Sequence, residues 1–448
     1  MGLRWKGASA VASGEGLDEF DVFDLVASLV EKSLVLAEPS GDALRYRLLE
    51  STRAYASEEL REAGERDLLA GRHLRYLRDW FAEIHDRQEA TVRSAEKAAA
   101  FVTELEGVRF ALDDALAHCE SVAGAELLAA IERSWTQGFG REGIARNEAF
   151  ISALPGDEVL LLAKLCATLA GLLCDENMSA PALEVATRAR AYARTSADGP
   201  TLAFALRWYA TAKTLLGNFA DADAALNEAA AISLASARLR LAITEVRVFL
   251  SKECGDLDAA ARGYEQGIVE HRALGNLRNA HGYVLNLSEV EYARGRTAHA
   301  IALVRDVLPA LRTGADRRVC AIALEGLAGY LAAGDDLPGA IEAAHEAIAT
   351  LAHDPDNNTI IFALELLALV DALQDRFPRA ARLIAYVDSA FAKLGTKRRR
   401  VSQMTYDRLT ALLNAKLTPE DRAHLAAEGA ALTPEAAVAL ALERGTPS

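Results

Sequence analysis

The stretch Gly217-Asn-Phe-Ala-Asp-Ala222 is one copy of a phrase that recurs along the chain. A copy consists of Gly or Asp, a polar residue, often an apolar residue, two spacers and a final Ala. The other clear copies are Gly255-Asp-Leu-Asp-Ala-Ala260, Gly295-Arg-Thr-Ala-His-Ala300, Asp335-Asp-Leu-Pro-Gly-Ala340 and Asp375-Arg-Phe-Pro-Arg-Ala380. Their final alanines, called the signature alanines below, are 38, 40, 40 and 40 residues apart, and weaker copies end at Ala182 and Ala145. Such a regular interval indicates a repeat architecture in which each unit stacks on its neighbours.

The phrase has the composition of a break between two helices. Gly can adopt the left-handed conformation that ends the first helix, the polar residue beside it can cap the second, and the small Ala lets the two helices cross closely. Twelve residues before the signature alanines stand Ala210, Val248, Ser288, Ala328 and Ala368. Four and seven residues after them stand Leu226 and Ala229, Tyr264 and Gly267, Val304 and Val307, Ala344 and Ala347, and Ile384 and Val387. These positions form one buried helix face, so the sequence predicts an all-α, tetratricopeptide-like helical-repeat superhelix with a groove.

Composition excludes several classes of protein. Of the 448 residues 51% are hydrophobic, which is ample material for a core, and the net charge is −15. A surface of that charge repels phosphate and anionic lipid, so we expect no direct nucleic-acid binding and no membrane association. The most apolar window, residues 159–174, has 16 residues where a bilayer span needs about 20. The five cysteines include no Cys-x-x-Cys and the start carries no secretory apolar run, so we expect a cytoplasmic location.

Strand signals concentrate near the start of the chain. Residues 33–37 and 44–49 favour strands and flank the turn-forming stretch 38–42, with amphipathic stretches at 20–32 and 51–63 on either side. Helix, hairpin and helix in this order form the closing half of a winged helix, here a small N-terminal remnant with one β-hairpin. We therefore predict a winged-helix-like segment over 1–64, a helical connector over 65–120, repeats over 121–396 and C-terminal capping helices over 397–448.

Residues 20–64 resemble the winged-helix segment that follows the P-loop ATPase in bacterial STAND-class regulators. The matching phrases are Leu29-Val-Glu-Lys-Ser-Leu34 and Arg45-Tyr-Arg-Leu-Leu-Glu50, followed by Arg72-His73 with Tyr76. At the far end, Glu428-Gly429 and Leu432-Thr-Pro-Glu-Ala-Ala-Val438 resemble the closing helices of that family. The resemblance implies the sensor and protein-interaction arm of a signal-responsive transcriptional regulator, in which residues 20–64 relay the state of the repeats to the ATPase.

The chain departs from the family plan in one large respect. No Gly-Lys dipeptide occurs, so no P-loop can hold a triphosphate, and we expect the ATPase domain on an upstream segment or a separate chain. The start joins the winged-helix segment abruptly, which suggests the C-terminal part of a larger regulator. Gly107 and Asp114 stand where the family pattern has Asn and Trp, which affects local packing.

The sequence carries no motif that supports a catalytic site. The nine histidines form no His-Glu-x-x-His or His-x-His motif, and no Gly-x-Ser-x-Gly elbow occurs. We therefore predict no catalytic residues, no metal, no cofactor and no enzyme activity of this chain alone. The basic run Lys397-Arg-Arg-Arg400 could attract an acidic partner or nucleic acid, but in an acidic chain such a run more often forms a solvated helix face.

A candidate partner-binding groove lies on the first helix of each repeat. Fifteen residues before the signature alanines stand Arg207, Glu245, Leu285, Glu325 and Glu365. Glu289 shares the face of Leu285 by helical spacing, so four glutamates could form an acidic stripe that favours a basic peptide or protein. The alternative is ordinary solvated glutamates. Trp208 and Tyr292 could be aromatic anchors for the partner or could belong to the core.

A second function fits the repeats equally without the family resemblance. A free-standing tetratricopeptide-type adaptor or scaffold would use the same groove to bind peptides or proteins with no link to transcription. A P-loop reading frame directly upstream, or a separate ATPase that co-purifies with the chain, would favour the regulator.

Overall fold

The computed structural model describes residues 3–14, 16–40, 43–91, 95–136, 138–232, 236–314, 316–351, 359–395, 397–398 and 400–443. The helices are α1 (Trp5–Ala12), α2 (Glu19–Glu31), α3 (Glu50–Glu62), α4 (Arg66–Thr91), α5 (Ala95–Ala117), α6 (Ser121–Ile131), α7 (Gly140–Ala153), α8 (Val159–Asp175), α9 (Ser179–Ser196), α10 (Gly199–Leu215), α11 (Phe219–Ile232), α12 (Ala237–Cys254), α13 (Leu257–Ala273), α14 (Leu277–Ala293), α15 (Thr297–Thr313), α16 (Arg317–Ala333), α17 (Leu337–Thr350), α18 (Ile360–Leu373), α19 (Phe377–Leu394), α20 (Arg400–Lys416), α21 (Pro419–Ala430) and α22 (Pro434–Leu442). The strands are β1 (Leu3–Arg4), β2 (Val35–Ser40) and β3 (Ala43–Leu48), and a 3-10 helix spans Glu132–Thr136.

The predicted helix-hairpin-helix unit is present near the start of the chain. Asp18 begins α2 with a capping box, because its carboxylate accepts from the backbone of Phe20 and Asp21 while the Asp21 side chain accepts from the Asp18 backbone. Strands β2 and β3 pair antiparallel from Val35↔Leu48 to Ser40↔Ala43, and β1 adds a short third strand on β3. Residues 41 and 42 of the predicted turn lie outside the described residues.

The chain divides into two compact units. Unit 1 consists of 1–134 with 145–165, and unit 2 consists of 135–144 with 166–448. Unit 1 holds the hairpin together with α1–α6, and unit 2 holds the five clear copies of the repeat. The four segments predicted from the sequence remain a prediction, because the two units show only which parts of the chain pack most closely with each other.

The breaks between paired helices have the predicted backbone conformation. Gly217, Gly255 and Gly295 have φ of 77°, 92° and 78°, and Asp335 and Asp375 occupy the same repeat position with φ of 63° and 61°. Gly adopts the left-handed backbone conformation without steric cost and Asp tolerates it, which explains why these two residue types occur at this position. The same conformation therefore ends the first helix of every clear repeat.

The small and apolar positions of the repeat form the core of unit 2, as predicted. The signature alanines Ala222, Ala260, Ala300, Ala340 and Ala380 are each fully buried, and so is Ala182 of a weaker copy. The residues four and seven positions later are buried in every clear copy. Ala145, the end of the other weaker copy, is exposed. In that segment Gly143 is the buried small residue, since a Cβ on it would lie 2.5 Å from the Trp135 ring.

In the part of the chain that the structure describes, no single helix combines the length and apolarity needed to cross a bilayer. The consecutive helices α21 and α22, bent by 120° against each other, reach that length and composition only as a pair.

Candidate interaction surfaces

Glu245 lies in a polar cluster that joins neighbouring repeats of unit 2. Arg207 on α10 donates from Nη2 to Glu245 Oε2 on α12 over 3.2 Å, and its guanidinium lies 4.3 Å from the centre of the Trp208 ring. His271 on α13 is buried and lies with Nε2 3.0 Å from Glu245 Oε1. Burial raises the pKa of Tyr283, which packs on His271, and the charge of Glu245 raises it further. Glu245 is thus held between a cation and a buried imidazole.

Glu289 forms the next link of the same kind. Lys252 on α12 is only 3% exposed and donates to the Glu289 carboxylate and to Asn286 Oδ1 on α14, the latter over 3.0 Å. A buried ammonium requires such partners, because desolvating an unpaired charge is costly. In both links a cation on one first helix binds a glutamate on the first helix of the following repeat.

Glu325 and Tyr292 lie around the buried Tyr330. The Tyr330 hydroxyl is 3.1 Å from Ser288 Oγ, and the Tyr292 ring lies 4.9 Å from the Tyr330 ring. Burial raises the pKa of Tyr330, and the charges of Glu289 and Glu325 raise it further, so both carboxylates are near this phenol. Tyr292 therefore contributes a partly buried ring to the contact between α14 and α16.

Glu365 is buried away from solvent, with 2% exposure, and is bound by residues near the C-terminus. Arg398 Nε and Ser402 Oγ each donate to it over 2.5 Å. Burial raises the pKa of Glu365, and Arg398 opposes that shift. The Arg398 guanidinium also lies 4.6 Å from the Phe391 ring and 3.9 Å from the Tyr406 ring.

The basic run at 397–400 is therefore not simply a solvated face. Arg398 is an internal ion-pair partner, and Lys397 Nζ donates to the Leu216 carbonyl over 3.2 Å. Arg399 and the side chain of Arg400 lie outside the described residues. Trp208, the other predicted aromatic anchor, is 4% exposed. Its ring packs against Gly171, where an added Cβ would lie 2.7 Å from the ring.

The structure thus groups the predicted groove residues in three places. Arg207, Glu245 and Trp208 form one cluster, Glu289, Glu325 and Tyr292 a second, and Glu365 lies in a third. The spacing from the signature alanines did not predict Lys252 and His271, which bind Glu289 and Glu245. Lys252 stands seven residues after Glu245 on the same helix, so helical periodicity alone could have placed a cation on that face.

A second surface, the exposed apolar segment, covers residues 17–55 of unit 1. It carries nine of the seventeen large hydrophobic side chains that are exposed among the described residues. They are Leu17, Phe20, Phe23, Leu25, Leu29, Leu34, Leu44, Leu49 and Tyr55, with Phe20 82% exposed. Val22 is the one residue of α2 that is buried, and α3 buries none. Concentrated apolar exposure of this kind marks interaction surfaces.

The segment is anchored to the rest of unit 1 by a buried ion pair. Arg45 on β3 binds Glu104 on α5 through two hydrogen bonds of 2.6 and 3.0 Å, with side-chain exposures of 17% and 4%. Arg47, two residues further along β3, binds Glu38 at an exposed site instead. Because bidentate pairs fix both position and angle, Arg45 sets the orientation of the hairpin on α5.

His73, in the phrase that resembles the STAND family, is buried near this ion pair. Burial lowers the pKa of His73 to about 4. Gly107 lies beside it, and a Cβ there would be 3.5 Å from His73 Nε2 and 3.7 Å from Glu104 Oε2. The space that an Asn would occupy in the family pattern is thus next to the imidazole. Among the described residues no three His, Cys, Asp or Glu side chains are grouped to hold a metal ion.

Comparisons with known proteins agree with this fold. No family model matches the chain. A Mycobacterium tuberculosis protein named "Putative HTH-type transcriptional regulator Rv0890c" is 31% identical over 154 residues, covering 33% of this chain and 16% of that protein. The "Uncharacterized protein Rv0894" of the same species is 37% identical over 78 residues, covering 17% of this chain and 20% of that protein. These matches therefore span a fifth or less of the curated relatives.

One solved structure covers nearly the whole chain. It is the signal transduction ATPase with numerous domains (STAND) protein PH0952 from Pyrococcus horikoshii, which has a tetratricopeptide repeat sensor. The TM-score is 0.51 with 13% identity, over 96% of this chain and 60% of that chain. At this identity the likeness shows the fold alone, an all-α tetratricopeptide-like repeat fold.

Proposed function

We propose that this chain is the sensor and protein-interaction arm of a STAND-class, signal-responsive transcriptional regulator. The main support is the exposed apolar segment: of the large hydrophobic side chains that are exposed among the described residues, more than half lie in residues 17–55. Apolar area left in water at this density is stabilised when another domain or protein covers it. The fold shared with a STAND protein and the sequence match to a named transcriptional regulator add support.

The proposed mechanism is a population shift between two arrangements of the regulator. A protein or peptide bound to the repeats favours one arrangement, and residues 20–64 carry that bias to a P-loop ATPase domain located upstream or on a separate chain. The coupling comes from the difference in ligand affinity between the two states. The chain itself supplies binding energy and no catalytic step, cofactor or direct contact with nucleic acid.

The Arg45–Glu104 pair gives the relay a rigid connection. A hairpin held by two hydrogen bonds moves together with α5, so a displacement of α5 also displaces β2 and α2. Neighbouring repeats are joined in a comparable way by the Arg207–Glu245 and Lys252–Glu289 links. Both devices favour transmission over independent movement.

Transcript profiling of the native host tests this function. Phe20→Ser with Phe23→Ser removes apolar side chains from α2, and Val269→Ser with Leu277→Ser makes a matched change at exposed apolar sites of unit 2. We expect the α2 variant to alter the same transcripts as deletion of residues 20–64, and the control variant to leave them unchanged. Wild-type transcripts in the α2 variant and in the deletion would contradict the regulatory function.

A free-standing adaptor is the second candidate. The observation that favours it is the tetratricopeptide-like repeat fold itself, in which stacked helices offer a binding surface that needs no nucleotide switch. An adaptor would bind proteins unrelated to nucleotide switching through its repeats. Unchanged transcripts together with stable capture of such proteins would favour this candidate.

A further inference from the structure

Three basic side chains of unit 2 reach carbonyl groups far away in the sequence. Arg278 Nη2 donates to the Thr136 carbonyl over 3.3 Å, across 142 residues. Arg318 donates to the Asp175 carbonyl across 143 residues, and Lys397 donates to the Leu216 carbonyl across 181 residues. Close approach of Gly395 to Ala180, where a Cβ would lie 3.0 Å away, adds a fourth contact of this range. Segments several repeats apart therefore touch within unit 2.

The contacts follow the repeat. Arg278 and Arg318 both stand 22 residues before a signature alanine, Ala300 and Ala340, at the starts of α14 and α16. Their acceptors end the 3-10 helix and α8, and are 39 residues apart, one repeat. Each contact thus joins the start of a first helix to a helix end about three and a half repeats earlier.

The chemistry of the contacts makes them sensitive to salt. Carbonyls at the end of a helix lack intrahelical partners and carry the negative end of the helix dipole, so cationic side chains are favoured there. Arg278 is 43% exposed, and it also binds Asp316 at 2.6 Å. Lys397 is exposed as well. Exposed charges are screened by salt, whereas the helices of unit 2 are held together by a buried apolar core.

We propose that Arg278, Arg318 and Lys397 form a turn latch that holds successive turns of the repeat array of unit 2 together. The array opens when the latch is screened or removed. Opening changes access to the inner faces of the first helices, so the latch deepens the proposed function by naming how the array is regulated. Its test uses the purified chain without a partner, so its failure is distinguishable from failure of the proposed function.

Distance measurement between spin labels tests the latch. The labels replace Glu184 and Glu342, exposed residues two positions after Ala182 and Ala340, in a chain with Cys119→Ser and Cys254→Ser. The latch variant carries Arg278→Met, Arg318→Met and Lys397→Met. The control variant carries Arg194→Met, Arg247→Met and Arg272→Met, which remove pairs with Glu228, Asp223 and Asp306 on nearby helices.

We expect the latch variant to shift to longer label distances at about 50 mM salt, and the labelled parent to make the same shift at about 500 mM salt. The control variant keeps the label distances of the parent at low salt. An unchanged distribution in the latch variant, or an equal shift in the control variant, would overturn the latch. Should the latch variant fail to fold by circular dichroism, the salt series on the parent decides, and distances independent of salt refute the inference.

Discussion

At the scale of single residues, Gly267 shows how one repeat position adapts to its neighbour. The equivalent residues seven positions after the other signature alanines are Ala or Val, but a Cβ on Gly267 would lie 2.0 Å from the Tyr283 ring. We predict that Gly267→Ala destabilises unit 2 by about 1–3 kcal/mol, because the ring cannot move without breaking its packing. Gly282→Ala on α14, the first helix of the following repeat, is the control, since a Cβ there would have nothing within 4 Å, and it should stabilise α14 by about 0.5–1 kcal/mol. Urea unfolding of both variants checks this, and equal effects would contradict it.

His73 makes the stability of unit 1 depend on pH. Its folded pKa of about 4 is below the unfolded value near 6.5, so between these values the unfolded chain binds a proton that the folded chain does not. The unfolding free energy should therefore fall as pH drops from about 6.5 towards 4, by roughly 3 kcal/mol in total. His73→Gln removes this contribution and leaves the neighbouring Arg45–Glu104 pair in place. Urea midpoints at pH 7 and pH 4.5 measure the difference, and parallel behaviour of the two chains would refute the assignment.

At the scale of elements, the Arg45–Glu104 pair fixes the hairpin on α5. Arg45→Met leaves the buried Glu104 carboxylate without its cation, at a cost of about 3–5 kcal/mol. Arg47→Met on the same strand removes an exposed pair of about 0–1 kcal/mol. Hydrogen exchange of β2 and β3 should accelerate in the first variant and remain near wild type in the second. Equal exchange in both would show that the pair does not hold the hairpin.

Two designs stabilise the breaks between helices, a side-chain cap and a buried ion pair, and the repeat pattern alone did not predict which break has which. At Asp256 and Asp336 the side chain caps the second helix. Arg296 replaces this cap in the repeat of Ala300, where it binds the buried Glu291 together with Arg294 and His299. Burial raises the pKa of Glu291, but these hydrogen bonds outweigh burial and hold it at about 2.

The two designs should be exchangeable only as whole sets. Arg296→Asp removes one of the three cationic partners of Glu291 and places a second carboxylate beside it, and it should destabilise by about 1.5–3 kcal/mol. Adding Glu291→Leu reproduces the Leu331 and Asp336 combination of the repeat of Ala340 and should recover most of that loss. A double-mutant cycle by thermal unfolding measures the coupling, and additive effects would contradict the two-design interpretation.

At the scale of the whole molecule, the repeat period predicted the fold because each copy encodes its own break, crossing and buried face. The roles of Ala222 and Gly217 could be predicted, because each depends only on neighbouring residues of the same copy. The partners of Glu245 and Glu365 could not be predicted, because they come from other helices or from the C-terminal segment and depend on the exact rotation between helices. Contacts such as Arg318 with Asp175 depend on that rotation summed over several repeats, which no single copy contains.

The exposed apolar segment is the feature that carries the proposed regulatory function. The sequence predicted an amphipathic helix over 20–32, and in the structure Phe20 and Phe23 of α2 are exposed. Sequence spacing cannot say whether such a face is covered by the same chain or by a partner. Partner identity at this surface is therefore the central question.

Site-specific photocrosslinking in the native host answers it most directly. A photoreactive phenylalanine analogue at Phe20 or Phe23 samples α2, and the same analogue at Val269, 68% exposed in unit 2, is the control. We predict that the two α2 positions crosslink to a P-loop ATPase segment identified by mass spectrometry and that Val269 does not. Crosslinks from α2 to proteins without a nucleotide switch, or the same products from Val269, would contradict the proposed function.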